Sequence, residues 1–228
     1  MTSTEKPQTA VLLDIDGTLV ESNYLHIDAW DRAFVAVGHP VDVWRIHRSI
    51  GMDSAKLLEH LLGADAAERV GDKAKELHKE YYLAASERLR TLPGARELLA
   101  ALAERGHAVV LATSAPEDEL EVLLTVLEAD EHLHAETSSG DVDTAKPDPD
   151  IIKSALEKAS VDPAQAVMVG DSVWDVKASL RTGVPCIGLL SGGFGAEELR
   201  EAGAAVIYDD VADLLEHLDE SPIGQLRG

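Results

Sequence analysis

Five short apolar runs recur along the chain, "AVLLDI", "HAVVLATS", "AVMVGD", "VPCIGLL" and "AAVIYDD", each rich in Val, Ile or Leu. Runs that are apolar on both faces belong in a parallel sheet covered from both sides. Helical patterns with start and stop signals lie between them. "LPGARELLAALAERGH" puts Pro93 ahead of an amphipathic stretch that stops at Gly106, and "DPDIIKSALEKAS" offers Asp148 as a cap with Pro149 in the first turn. The alternation predicts an α/β fold, a doubly wound (Rossmann-like) parallel sheet whose sites lie at the C-terminal ends of the strands.

Residues 20–91 break this rhythm. They contain no strand-like run but several helical ones, "SNYLHIDAWDRAFVAVG", "DSAKLLEHLLG" and "DAAERVGDKAKELHKEYYLAASERL". The expected organisation is a catalytic α/β core over 1–19 and 92–228 with an inserted all-helical cap domain over 20–91. A helical block inserted directly after the first strand can cover the strand ends and exclude water beneath it. Trp30, Phe34 and Trp44 read as apolar core of this cap. Cys186, inside "GVPCIGLL", reads as a small buried strand residue, and the "GLLSGGFG" that overlaps it as a flexible loop after a strand, since it lacks the Lys-Ser/Thr of a phosphate loop.

With 228 residues, 45% of them apolar, the chain can fill such a core. Its net charge of −22 argues against nucleic acid and anionic membrane as partners, because both need clustered Lys and Arg. No apolar run approaches the about 18 residues of a membrane span, and "MTSTEKPQTA" reads as a loose N-terminal tail with no secretory stretch. A cytoplasmic protein is expected, and a monomer is compatible with the sequence.

The apolar runs end in polar residues: Asp14 and Asp16, then Thr113 and Ser114, then Asp171, with Lys146 in the loop "TAKPDPD". In a parallel sheet these ends share one edge and can converge. Asp14, Asp16 and Asp171 crowd negative charge that a hard cation such as Mg²⁺ would balance with oxygen ligands. Lys146 and the Thr113 hydroxyl suit the oxygens of a phosphoryl group, and Gly17 permits a tight turn that brings backbone amides inward. A one-residue change of register would exchange Thr113 with Ser114. Such a site holds a metal, a phosphate and a carboxylate nucleophile.

"DIDGT" at Asp14–Thr18, "VVLATS" ending at Ser114, "AKPDPD" around Lys146 and "VGDSVWD" ending at Asp175 resemble, in order and spacing, the four motifs of the haloacid dehalogenase-like superfamily. The resemblance spans nearly the whole chain and is nearest to the phosphoglycolate phosphatase and beta-phosphoglucomutase branch, whose helical cap lies between the first two motifs. It implies Asp14 as nucleophile and Asp16 as the acid and later base. Thr113 and Lys146 would hold phosphoryl oxygens, with Ser114 as a further substrate contact. Mg²⁺ would be bound by the Asp14 carboxylate, the Asp16 main-chain carbonyl and Asp171, with Asp175 supporting Lys146 or a metal-bound water. Relatives carry a His at the place of His26 near the site, and Arg45 or Arg48 could meet the organic part of an anionic substrate. The implied activity is a Mg²⁺-dependent phosphatase for a small phosphorylated metabolite, of the sugar phosphate or phosphoglycolate type. A phosphomutase would use the same motifs, although "IGMDSAKLL" offers Ser54 and Lys56 where mutases carry an Arg. A noncatalytic phosphometabolite sensor would be expected to have lost Asp14 or Asp16.

Overall fold

The structure, a computed structural model, describes residues 8–141 and 146–227. The expected N-terminal tail lies outside the described residues as far as residue 7. Six strands, β1 (Ala10–Leu13), β2 (Ala108–Leu111), β3 (Ala135–Glu136), β4 (Ala166–Gly170), β5 (Cys186–Leu189) and β6 (Val206–Tyr208), form one parallel sheet in the order β3-β2-β1-β4-β5-β6. β1 is central, with Ala10 paired to Ala108 on one side and to Ala166 on the other. Its side chains alternate between two apolar clusters, Val11 and Leu13 in one, Ala10 and Leu12 in the other. This period of two, buried on both sides, is why the run reads as continuously apolar.

Between β1 and β2 the chain inserts α1 (Asn23–Ala36), α2 (Val43–His47), α3 (Ser54–Leu62) and α4 (Ala64–Ala84). The remaining helices are α5 (Ala95–Glu104), α6 (Glu117–Leu127), α7 (Asp150–Ala159), α8 (Val173–Leu180), α9 (Ala196–Ala202) and α10 (Val211–Glu216). Leucines of α5, α6 and α10 cover one face of the sheet, and residues of α7, α8 and α9 cover the other. The insert has an apolar cluster of its own, built on Trp30, Phe34, Ile46, Leu57, Leu58 and Leu61. Its entry and exit strands are tied together: Val20 bridges Thr91, Glu21 N–H donates to Arg90 O at 2.9 Å and Leu92 N–H to Leu19 O at 2.8 Å.

From β1 the chain builds outward to β2 and β3, then returns to the other flank of β1 with β4. The order reverses there, so a crevice opens at the C-terminal ends of β1 and β4.

Four local expectations need correction. A sixth strand exists, β3, too short and too polar to register as an apolar run. Asp148 does not cap α7, whose N-cap is Pro149; its carboxylate is engaged instead by Lys56 and Arg181. Trp44 is 66% exposed rather than core, because α2 is a single short turn whose inward residue is Ile46. The "GLLSGGFG" loop is packed rather than loose, with Ser191 Oγ donating to Gly17 O at 2.6 Å and Gly192 buried against Asp171.

Candidate active site

Asp14 follows β1 and is held in the sheet by its own N–H, which donates to Val169 O at 2.9 Å. The turn after it closes on Ile15, whose carbonyl accepts from Leu19 and Val20 at 2.8 and 3.0 Å. Gly17 sits in this turn at φ +74°, and a Cβ there would collide with Asn23 and Asp171.

Lys146 Nζ lies buried between two carboxylates, donating to Asp14 Oδ1 at 2.6 Å and forming an ion pair with Asp175 Oδ1 at 2.7 Å that lacks hydrogen-bond geometry. Asp175 is fixed from behind by the start of α8, where its Oδ2 accepts from the N–H and the hydroxyl of Ser172. Asp171 directly follows β4 and accepts from Thr18 Oγ1 at 3.1 Å and Asn23 Nδ2 at 2.9 Å.

Burial pushes the Asp14 carboxyl up to about 7, with Lys146 drawing it down and Asp175 and Asp16 adding to the rise. Asp171 is driven well above the carboxylate range by burial, then by Asp175 and Asp14. For Lys146 burial works against the charge, yet Asp14 and Asp175 outweigh it and the ammonium is stabilised. Carboxylate oxygens of Asp14, Asp171 and Asp175 lie within 4.8 Å of one another, all buried. One lysine cannot neutralise three acids. Burial keeps protons on Asp14 and Asp171 in the absence of a cation, and a cluster of hard oxygen donors alone that can give up those protons fits a small divalent cation.

Asp16 stands apart from this cluster. Its Oδ1 accepts from Ser22 Oγ and lies 3.3 Å from His26 Nε2. Burial raises its pKa, but the His26 charge and hydrogen bond, then Ser22 and Lys146, carry it below the usual range. His26 moves the other way: burial lowers it, and Asp16, Glu119 and Asp14 more than compensate. Behind it, His78 Nε2 is 3.1 Å from His26 Nδ1, while burial and His26 hold His78 well below its ordinary value. The rings are stacked, Tyr82 on His26 at 4.0 Å and Trp30 on His78 at 4.2 Å between centroids.

These groups form the floor and wall of a cavity of about 390 Å³ between the insert and the sheet edge. Asp14, Asp16, Thr113, Ser114, Lys146 and His26 all line it. Thr113 Oγ1 accepts from Ala115 N–H at 3.1 Å, which leaves its hydroxyl proton to donate. Arg48 is not brought to the cavity: its guanidinium pairs with Glu198 and lies 4.1 Å over the Phe194 ring, and both attractions turn it outward. Lys56 is likewise taken by Asp148.

A family model described as a haloacid dehalogenase-like hydrolase matches residues 8–183. This chain belongs to that family. It is a phosphatase of the phosphoglycolate phosphatase and beta-phosphoglucomutase-like branch. A validoxylamine A 7'-phosphate phosphatase of Streptomyces hygroscopicus subsp. limoneus is 31% identical over 203 residues, 89% of this chain and 94% of its own length. A phosphoglycolate phosphatase of Rhodospirillum rubrum is 31% identical over 214 residues, 90% of this chain and 88% of its own length. Among solved structures, a hydrolase from Pseudomonas syringae is 36% identical, with a TM-score of 0.88 over 93% of this chain and 99% of that one.

In this haloacid dehalogenase-like hydrolase the structure adds residues that motif reading passed over. Asn23, just inside α1, reaches Asp171. His78 on α4 backs His26. Glu119 on α6 turns into the cavity. None has a local pattern to mark it, because each acquires its place only when the insert closes on the core. Thr18 carried a signal, as the last residue of "DIDGT".

No helix among the described residues is long and apolar enough to cross a membrane.

Proposed function

We propose that the chain is a Mg²⁺-dependent phosphatase that hydrolyses a small phosphorylated metabolite through an aspartyl phosphate on Asp14. The observation that carries this reading is the division between the two acids of "DIDGT". Asp14 lies in the charge cluster against Lys146, whereas Asp16 opens on the same cavity with its own partners, Ser22 and His26. One carboxylate is placed to attack phosphorus and the other to handle protons.

Asp14 attacks in line as the leaving oxygen departs, and Lys146 with the Thr113 hydroxyl takes up charge on the phosphoryl oxygens. A phosphate dianion beside Asp16 favours its protonated form, so the acid can protonate the leaving oxygen. Once ionised, Asp16 takes a proton from the water that hydrolyses the aspartyl phosphate. The Asp14 and Asp171 carboxylates and the Asp16 main-chain carbonyl, with Asp175 alongside, would hold Mg²⁺, which when bound supplies charge neutralisation for the phosphoryl oxygens and keeps Asp14 ionised. The insert, as a cap over 20–91, closes the cavity against water. Named activities of the relatives, on validoxylamine A 7'-phosphate, phosphoglycolate and phosphorylated carbohydrates, support an organic phosphate monoester as substrate, of the phosphoglycolate or sugar phosphate type.

A mutase would need a cap cation for a second phosphate. Lys79 is engaged by Asp118, which leaves Lys75 on the cavity wall, so product identification separates the two readings. Phosphate release from p-nitrophenyl phosphate should vanish with EDTA and return with Mg²⁺, and Ca²⁺ should inhibit because its larger, looser shell misplaces the nucleophile. Asp14→Asn should lower turnover by at least about 10³-fold with the fold intact. Full activity after rigorous chelation, or isomerised product in place of free phosphate, would reject the reading.

A further inference from the structure

Glu119 is a buried carboxyl on the cavity wall, 4% exposed, with no hydrogen bond or ion pair among the described residues. The start of α6 explains why. A glutamate at the third helical position ordinarily reaches back to the N–H of the N-cap residue, but the N-cap here is Pro116, which has none. The preceding acids find other settings: Glu117 is exposed and Asp118 pairs with Lys79 of α4. Glu119 is left facing the cavity, and burial pushes its pKa up to about 7. The His26 and Lys79 charges draw it down only in part. Leaving a buried carboxyl without a hydrogen bond is costly, and the cost is recovered when a ligand supplies the donor.

The rest of the wall limits what that ligand can be. Trp30, Ile50, Met52 and Leu57 make one side apolar, and the space of about 390 Å³ exceeds what a two-carbon ester needs. Asp16 is a second acid on the same wall, so a carboxylate placed near Glu119 would meet repulsion from both, and the His26 charge that would attract it is already engaged by Asp16 at 3.3 Å. Hydroxyl groups suit Glu119 in either protonation state, and the C–H faces of a ring suit the apolar side.

We propose that Glu119 is a specificity-determining residue that hydrogen-bonds hydroxyl groups on the organic part of the substrate, so that the enzyme prefers polyhydroxylated phosphate monoesters of sugar or cyclitol type over a carboxylate-bearing ester. The inference rests on the phosphatase reading above. Lys75, half-buried on α4, would favour the opposite choice, as would Lys79 and His26 were they not engaged by Asp118 and Asp16.

The test compares kcat/KM for glucose 6-phosphate, myo-inositol 1-phosphate, phosphoglycolate and p-nitrophenyl phosphate. In the wild type the better polyol ester should exceed phosphoglycolate by about tenfold or more. Glu119→Leu should lower that polyol value by at least about tenfold more than the value for p-nitrophenyl phosphate. Glu119→Gln should keep most of the selectivity, because an amide also donates and accepts. Should the leucine variant fail to fold, Glu119→Asp, which withdraws the carboxyl by one methylene, should shift selectivity in the same direction. Proportionate losses on every substrate, or a wild-type preference for phosphoglycolate, would overturn the assignment while leaving an active phosphatase. A protein without Mg²⁺-dependent p-nitrophenyl phosphate hydrolysis would overturn both readings.

Discussion

Gly192 shows how closely single residues bound this site. A Cβ built on it would lie 1.6 Å from Asp171 Oδ2, so Gly192→Ala must displace the carboxylate that Thr18 and Asn23 hold. The Mg²⁺ concentration for half-maximal activation should rise about tenfold or more in that variant, as when a partner that orients a ligand is lost; an unchanged Mg²⁺ titration would remove Asp171 from the metal site. The acids and lysine of the motifs were legible in the sequence because charges at the ends of apolar runs have no bland role. Asn23 and Glu119 were not legible, since asparagine or glutamate at a helix start is ordinary until tertiary packing buries it. Arg48 was misplaced for the converse reason: its partners, Glu198 and Phe194, lie about 150 residues further along the chain, beyond any local pattern.

At the scale of elements, helix and strand could be read where a period ran long enough. β1, β2, β4 and β5 show continuous burial and α4 runs 21 residues, while β3 spans two residues and α2 five, too few to establish a period. The insert's contribution to the site is chiefly aromatic, α1 and α4 meeting through Trp30, His26, His78 and Tyr82. Tyr82 is fully buried and its hydroxyl has no hydrogen-bond partner among the described residues, so Tyr82→Phe removes an unpaired polar group and keeps the ring. Denaturant unfolding should show a change no worse than about 1 kcal/mol, with stabilisation the expected direction; a loss of several kcal/mol would mean that the hydroxyl is satisfied. Arg48, at the end of α2, ties the insert to Glu198 of α9. Arg48→Ala should therefore lower kcat/KM for p-nitrophenyl phosphate and for a larger ester by the same factor, and a selective loss on the larger ester would return Arg48 to the cavity.

The whole molecule concentrates buried acids where insert and sheet meet, and its stability should report them. Asp14 and Glu119 titrate near 7 when folded, against ordinary values of 3.8 and 4.5. A carboxyl raised in this way keeps its proton longer in the folded state, so its contribution is present at low pH and is lost as pH climbs through about 7. Asp171, raised well above its ordinary value, and His26, raised by Asp16, act in the same sense; His78, lowered, acts in the other. The metal-free protein should lose Tm between about pH 5 and 7.5, and Mg²⁺ should flatten that slope because cation binding favours the ionised acids. A metal-free Tm that rises across this interval would contradict the electrostatics described here. The covalent step is tested most directly by rapid-quench kinetics on Asp16→Asn with radiolabelled p-nitrophenyl phosphate. Nitrophenolate leaves without an acid, whereas water still needs a base, so the variant should release one rapid equivalent of nitrophenol and then stall with labelled phosphate on Asp14. A burst slowed as much as steady-state turnover, with no label retained on the protein, would contradict the division of labour between Asp14 and Asp16.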